Sequence, residues 1–148
     1  MNPRVNSSEG ERQLGSSVPA LRLSASSPSV LIVEDEILLR MATADEFREG
    51  GFFVNEAANG DDALAMLRSY SNIDAVFSDV RMPGTLNGIH LARLVRLLYP
   101  NIRMFLTSGT LESFPTNQSL ADGYFPKPYV AAEVERVIRQ AYEDKNAH

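Results

Sequence analysis

The chain has 148 residues, which is enough for one domain with its own hydrophobic core plus a terminal extension. A net charge of −5 argues against a nucleic-acid surface, since such a surface needs a basic patch. The sequence contains no cysteine, which excludes a disulfide framework, a thiolate metal site and a cysteine nucleophile. Its apolar runs have the length of strands, so no membrane span is expected.

Residues 1–28 differ in composition from the rest of the chain, with seven serines, three prolines and little apolar periodicity. The one apolar run among them, residues 18–23, contains an arginine and is too short for the core of a signal peptide. We therefore expect a disordered, Ser-rich extension here.

From residue 29 onward, apolar runs of strand length alternate with amphipathic segments of helix length. This is the pattern of a parallel sheet covered on both faces. Strands are predicted at residues 30–33, 52–57, 73–79, 102–107 and 124–125. The first helix is predicted at residues 37–50, the second after a cap at Asn59 and the third at residues 89–98. The fourth is expected to be short or irregular and to start near Pro115, and the fifth starts at about residue 130. The first helix is expected to bury the stripe Ile37, Met41, Ala44 and Phe47. The predicted fold class is α/β, a flavodoxin-like doubly wound sheet of five parallel strands in the order 2-1-3-4-5 with five helices.

Polar residues follow four of these strands at the point where each strand ends. Glu34 and Asp35 close the first strand, Asp79 closes the third, Ser108 closes the fourth and Lys127 follows the fifth. In doubly wound sheets ligands bind at the carboxyl ends of the strands. Three carboxylates placed together repel one another, and a hard divalent cation such as Mg²⁺ relieves that repulsion. The pattern therefore predicts a magnesium-dependent phosphoaspartate site.

With these motifs, residues 29–144 resemble the receiver domain of two-component response regulators. The resemblance implies that Asp79 accepts a phosphoryl group from a histidine kinase or a histidine phosphotransfer protein. It also implies that Asp35 and Asp79 bind Mg²⁺ directly, that Glu34 acts mainly through water, and that the backbone carbonyl of Arg81 supplies another oxygen. Lys127 would place a positive charge on a phosphoryl oxygen. Residues 145–148 are expected to form a C-terminal tail.

The same resemblance implies a switch pair made of a hydroxyl and an aromatic side chain. Ser108 is the expected hydroxyl because the small residue Gly109 follows it, and the adjacent Thr107 is the alternative. Tyr124, three residues before Lys127, matches the aromatic that turns inward when the hydroxyl moves toward phosphate. Tyr124 could equally be an ordinary strand aromatic beside a surface groove.

Three features depart from the family pattern. The loop at residues 82–88 is one residue longer than usual, and the side chain of Arg81 is expected to face the phosphoryl group. The segment between Ser108 and Tyr124 is shorter than usual and contains Pro115, which places dimerisation through this surface in doubt. His90 is expected to be a surface residue and His148 is the terminal residue, and neither is expected to be a phosphohistidine.

These expectations describe a stand-alone, cytoplasmic receiver, since no second domain follows Asp144 in this sequence. It would act as a protein-binding switch or a phosphorelay intermediate, as a monomer or weak homodimer. Its expected partners are the phosphodonor and a downstream protein, without nucleic acid or membrane. Two alternatives remain: a receiver-like scaffold that does not respond to phosphate, and a small aspartyl-phosphate phosphohydrolase. The second is disfavoured because Arg81 occupies the place of the general acid, and we expect no enzyme acting on an external substrate.

Overall fold

The computed structural model describes residues 27–147, and the predicted extension at residues 1–28 lies outside this range except for its last two residues. Its strands are β1 (Ser29–Val33), β2 (Phe53–Ala57), β3 (Ala75–Asp79), β4 (Arg103–Ser108) and β5 (Gly123–Pro126). Its helices are α1 (Ile37–Glu49), α2 (Gly60–Ser69), α3 (Gly88–Leu98) and α4 (Ala131–Asn146). Between β4 and β5 lie two 3₁₀ turns, Leu111–Ser113 and Gln118–Leu120.

All five strands are parallel and lie in the order β2-β1-β3-β4-β5. The predicted fold class and strand order are therefore confirmed. The strands β1 and β3 are buried along their whole length, in agreement with the apolar runs at residues 30–33 and 75–77. No helix within residues 27–147 is long and apolar enough to cross a membrane.

Two hydrophobic cores lie on opposite faces of the sheet. One lies beneath α2 and α3 and includes Leu31, Val76 and Leu106. The other lies beneath α1 and α4 and includes Phe77 and Phe105. Because side chains alternate along a strand, each strand sends every second residue to each core.

The buried face of α1 differs from the predicted stripe. Ala44 and Phe47 are buried as expected, and Thr43 joins them, but Ile37 is 57% exposed and Met41 is 50% exposed. Thr43 faces the loop before α4, where its hydroxyl lies 2.7 Å from the Tyr129 hydroxyl. The buried face of α1 is thus turned toward α4. This orientation depends on which element packs against the helix, so the periodicity of the sequence alone could not predict it.

The segment between β4 and β5 contains two 3₁₀ turns where a fourth helix was expected to be short or irregular. No helix begins at Pro115, because the first turn has already ended and Phe114 is extended, with φ −72° and ψ 146°. Proline disfavours the helical region for the residue before it, and it lacks an N–H for the helix ladder. The polar residues that follow cannot bury an apolar face, so only one further turn forms.

Side-chain caps fix the starts of α2 and α3. The predicted cap Asn59 accepts a hydrogen bond from the Asp62 N–H at 2.7 Å. Asn87 caps α3 by accepting from the His90 N–H at 2.9 Å, while His90 Nδ1 accepts from the Asn87 N–H at 3.3 Å. His90 is exposed, as expected, but it also completes a reciprocal cap that the sequence analysis missed.

Candidate functional site

Three carboxylates meet at the carboxyl edge of the sheet. Glu34 and Asp35 follow β1 and Asp79 ends β3, and each offers an oxygen within 4.8 Å of the other two. Glu34 and Asp79 are buried, whereas Asp35 is exposed to solvent. The parallel order of neighbouring strands brings these residues together although 45 positions separate Glu34 from Asp79.

Lys127 bridges the two buried carboxylates. Its Nζ lies 2.9 Å from Glu34 Oε1 and 3.0 Å from Asp79 Oδ2. The backbone N–H of Lys127 donates to the Ser108 carbonyl at 2.8 Å, which anchors the residue to the end of β4. Four of the residues predicted to meet at this edge, Glu34, Asp35, Asp79 and Lys127, therefore lie in one cluster.

Burial and pairing shift two pKa values in this cluster. Burial raises the pKa of Glu34 above its usual 4.5, although the hydrogen bond from Lys127 opposes the shift. Burial alone would lower the pKa of Lys127, but its hydrogen bonds to Glu34 and Asp79 outweigh that effect and raise the pKa above 10.5. The cluster thus holds a fixed ammonium beside carboxylates whose charge is costly to bury.

The donor set fits a hard divalent cation. By formal charge, three carboxylates and one ammonium give the cluster a net charge of −2. Oxygen donors of this kind, partly open to water through Asp35, are the ligands that Mg²⁺ prefers. The residues present therefore fit the group that the sequence predicted.

Arg40 supports the loop that carries Glu34 and Asp35. Its Nη1 donates to the Glu34 carbonyl at 2.8 Å, and its Nε donates to Glu56 Oε1 on β2 at 3.3 Å. The Glu34 N–H in turn donates to the Ala57 carbonyl at 3.0 Å. Arg40 was not predicted as part of the site, since nothing in the local sequence indicates a partner on a different strand.

The loop after Asp79 is held close to the site by Gly88. A Cβ at this position would clash with the Asp79 carbonyl oxygen and with Val80 Cα, so only glycine allows α3 to begin here. The loop contains a turn in which Gly84 has φ +98°, and Thr85 Oγ1 donates to Asp61 of α2 at 3.2 Å. Arg81 lies exposed at the start of this loop.

Thr107 and Ser108 are both buried at the end of β4 but face opposite sides of the sheet. Ser108 shares its face with Leu106, and its Oγ accepts from the Thr110 N–H at 3.2 Å, which leaves the hydroxyl hydrogen free to donate elsewhere. Thr107 lies in register with Asp79. The choice between the two hydroxyls therefore corresponds to a choice between two faces of the sheet.

Tyr124 packs onto the 3₁₀ segment. Its hydroxyl donates to the Gln118 carbonyl at 2.9 Å and accepts from the Ala121 N–H at 3.1 Å. Its ring lies 5.4 Å from the Phe114 ring in an edge-on arrangement. In this conformation Tyr124 anchors the segment that replaces a helix, a role that the sequence analysis did not foresee.

The comparisons with known proteins agree with this geometry. The sequence profile of the response regulator receiver domain matches residues 30–139. The chain is 32% identical over 124 residues to the sensor kinase CckA of Brucella abortus, covering 81% of this chain and 13% of that protein. It is 27% identical over 114 residues to the sporulation initiation phosphotransferase F of Bacillus subtilis, covering 75% of this chain and 90% of that protein.

Among solved structures, the chain resembles the response regulator TrrA of Thermotoga maritima, determined in complex with Mg²⁺ and BeF. The TM-score is 0.70 at 27% identity, and the match covers 76% of this chain and 97% of TrrA. A CheY-like receiver domain from Methanospirillum hungatei gives a TM-score of 0.74 at 21% identity, covering 82% and 98% of the two chains.

Several curated relatives are much longer than the matched region. The chain spans 13% of CckA, 26% of the regulatory protein DctD of Rhizobium meliloti and 45% of the respiration control protein ArcA of Escherichia coli. What these proteins share with the chain is thus one domain, a signalling module of two-component systems. The chain belongs to the response regulator receiver domain family.

Proposed function

We propose that the chain is a receiver that takes a phosphoryl group on Asp79 from a sensor histidine kinase or a histidine phosphotransfer protein. Phosphorylation would make it a protein-binding switch or a phosphorelay intermediate in the cytoplasm, with no external substrate turned over. The observation that carries this proposal is the placement of Asp79 in one cluster with the carboxylates of Glu34 and Asp35, with the Lys127 ammonium 3.0 Å from its Oδ2.

In the proposed reaction, one Asp79 carboxylate oxygen attacks the phosphorus of a phosphohistidine. A P–O bond forms as the P–N bond breaks, and the imidazole nitrogen keeps the electron pair of that bond and takes up a proton. The product is an acyl phosphate on Asp79. The transfer needs positioning and charge stabilisation more than a separate acid or base.

Lys127 would move from its two carboxylate partners toward the phosphoryl oxygens, where its charge opposes the negative charge that the phosphoryl group brings. Mg²⁺, when bound, would neutralise charge on the same oxygens. Glu34, Asp35, Asp79 and the backbone carbonyl of Arg81 are the proposed ligands. The complex of TrrA with Mg²⁺ and BeF supports this assignment by similarity.

Ser108 is the proposed donor of a hydrogen bond to the phosphoryl group, because its hydroxyl hydrogen is not used by the bond from Thr110. The role in relay transfer is supported by similarity to the sporulation initiation phosphotransferase F, of which the chain spans 90%. The anchored Tyr124 favours a second candidate, a scaffold whose partner surface does not respond to phosphate, because moving the ring would break two hydrogen bonds.

Intact mass after incubation with Mg²⁺ and acetyl phosphate tests the proposal. We expect one phosphoryl adduct on the wild type and none on Asp79→Asn. Asp45→Asn, which changes an exposed carboxylate on α1, is the matched control and is expected to keep the adduct. A folded wild type without an adduct would favour the scaffold, and an adduct on Asp79→Asn would refute Asp79 as the acceptor.

A further inference from the structure

The Thr107 hydroxyl is buried without a hydrogen-bond partner. Within residues 27–147, three buried side-chain atoms lack a partner: Ser29 Oγ, Arg103 Nε and Thr107 Oγ1. The first two belong to residues that begin β1 and β4, at the amino edge of the sheet. Only Thr107, which is 2% exposed, lies at the carboxyl edge, where the carboxylates meet.

The strand register places this hydroxyl on the Asp79 side of the sheet. Phe77 of β3 pairs with Phe105 of β4, and both side chains belong to the core under α1 and α4. Two residues further along both strands, Asp79 pairs with Thr107. Since alternate residues share a face, Thr107 and Asp79 lie side by side on the same face.

The same reasoning places Lys127 on the other flank of Thr107. On β5, Phe125 is the register partner of Thr107, and Lys127 follows two residues later. The Lys127 ammonium reaches back to Asp79 at 3.0 Å. The Thr107 side chain therefore lies between the strand ends that carry the proposed phosphoacceptor and its ammonium partner.

A buried hydroxyl without a partner is unfavourable, because it has lost its hydrogen bonds to water and gained none in return. Valine has nearly the same shape and would avoid this cost. A threonine here is thus unfavourable in the resting conformation, but it becomes favourable in a state that brings an acceptor to the hydroxyl. A phosphoryl group on Asp79 brings several oxygen acceptors to this position.

We infer that Thr107 is a positioning residue for phosphorylated Asp79, and that its hydroxyl donates a hydrogen bond to the aspartyl phosphate from the face opposite Ser108. This inference rests on the proposed function. The bond forms only in the phosphorylated state, so it stabilises that state relative to the resting one. Two adjacent hydroxyls of β4 then hold the same group from two sides of the sheet.

Beryllofluoride, a stable analogue of the phosphoryl group, tests the inference when it is titrated in the presence of saturating Mg²⁺. The variants are Thr107→Val, which removes the hydroxyl and keeps the shape, and Thr107→Ser, which keeps the hydroxyl. We expect Thr107→Val to weaken beryllofluoride binding by about tenfold or more, the effect of one hydrogen bond to a charged group. Thr107→Ser is expected to bind within about threefold of the wild type.

Two further measurements separate this role from a structural one. The midpoint of thermal unfolding of Thr107→Val without beryllofluoride should equal or exceed that of the wild type, because an unpaired hydroxyl is replaced by a methyl group. Its affinity for Mg²⁺ alone should be unchanged. Should Thr107→Val fail to fold, Thr107→Ala replaces it as the variant without a hydroxyl.

The outcomes are distinct. Equal affinity of Thr107→Val and the wild type for beryllofluoride would refute the inference and leave the proposed function intact. Weak binding by both Thr107→Val and Thr107→Ser would also refute it, because the methyl group and not the hydroxyl would then matter. A wild type that binds neither Mg²⁺ nor beryllofluoride would refute the proposed function, and this inference with it.

Discussion

Removal of the Tyr124 hydroxyl is expected to destabilise the domain, because this hydroxyl holds the segment that replaces a helix. In Tyr124→Phe the N–H of Ala121, a residue that is 6% exposed, loses its acceptor at 3.1 Å. The Gln118 carbonyl also loses its donor at 2.9 Å, but this exposed group can bind water instead. The cost is therefore that of one buried unpaired N–H, about 1–2 kcal/mol.

For a domain of this size, such a loss lowers the midpoint of thermal unfolding by about 4–8 °C. Circular dichroism during heating measures it. Tyr70→Phe is the matched control, since Tyr70 is 47% exposed and its hydroxyl makes no hydrogen bond within the described residues. The control should change the midpoint by less than about 2 °C.

Equal midpoints for Tyr124→Phe and Tyr70→Phe would refute the anchoring role of Tyr124. Such a result would instead support Tyr124 as the aromatic that moves in the switch pair. A large fall in the midpoint with an unchanged response to beryllofluoride would support an anchor that does not take part in switching.

Three further predictions concern the charges and the α3 cap. Because the pKa of Glu34 is raised in the folded state, the domain loses stability as pH rises from 4.5 through the folded-state pKa. Glu34→Gln should therefore raise the midpoint of thermal unfolding at pH 7 without metal and weaken Mg²⁺ binding, and a lower midpoint would contradict this. Lys127→Met leaves two buried carboxylates without their cation, so the free energy of unfolding at pH 7 without metal should fall by about 2 kcal/mol. Added Mg²⁺ should restore part of this loss in the same thermal unfolding experiment. Asn87→Ala removes the α3 cap and should cost about 1 kcal/mol in urea unfolding, whereas Asn72→Ala, at an exposed turn, should cost almost nothing.

The parallel sheet and the main cluster could be predicted from the sequence, because both follow from short-range patterns. Apolar runs of strand length indicated a parallel sheet, and the carboxyl ends of parallel strands meet at one edge. Glu34, Asp79 and Lys127 each end or follow such a run, so their meeting required no knowledge of side-chain packing.

The remaining features depend on partners that are distant in the sequence. Ile37 fits the periodicity of α1 but is exposed, because the packing of the helix turns the Thr43 side inward. Arg40 reaches a carbonyl in the loop after β1 and a carboxylate on β2, and Tyr124 bonds to the 3₁₀ turn before β5. Such contacts are fixed by tertiary packing, which local propensity does not contain.

The identity of the residue that carries the phosphoryl group tests the central claim most directly. After incubation with Mg²⁺ and acetyl phosphate, borohydride reduces an aspartyl phosphate to homoserine, and peptide mass spectrometry then locates the altered residue. The account predicts homoserine at position 79, only when Mg²⁺ is present. Conversion at Asp35 or another carboxylate, with Asp79 unchanged, would contradict it.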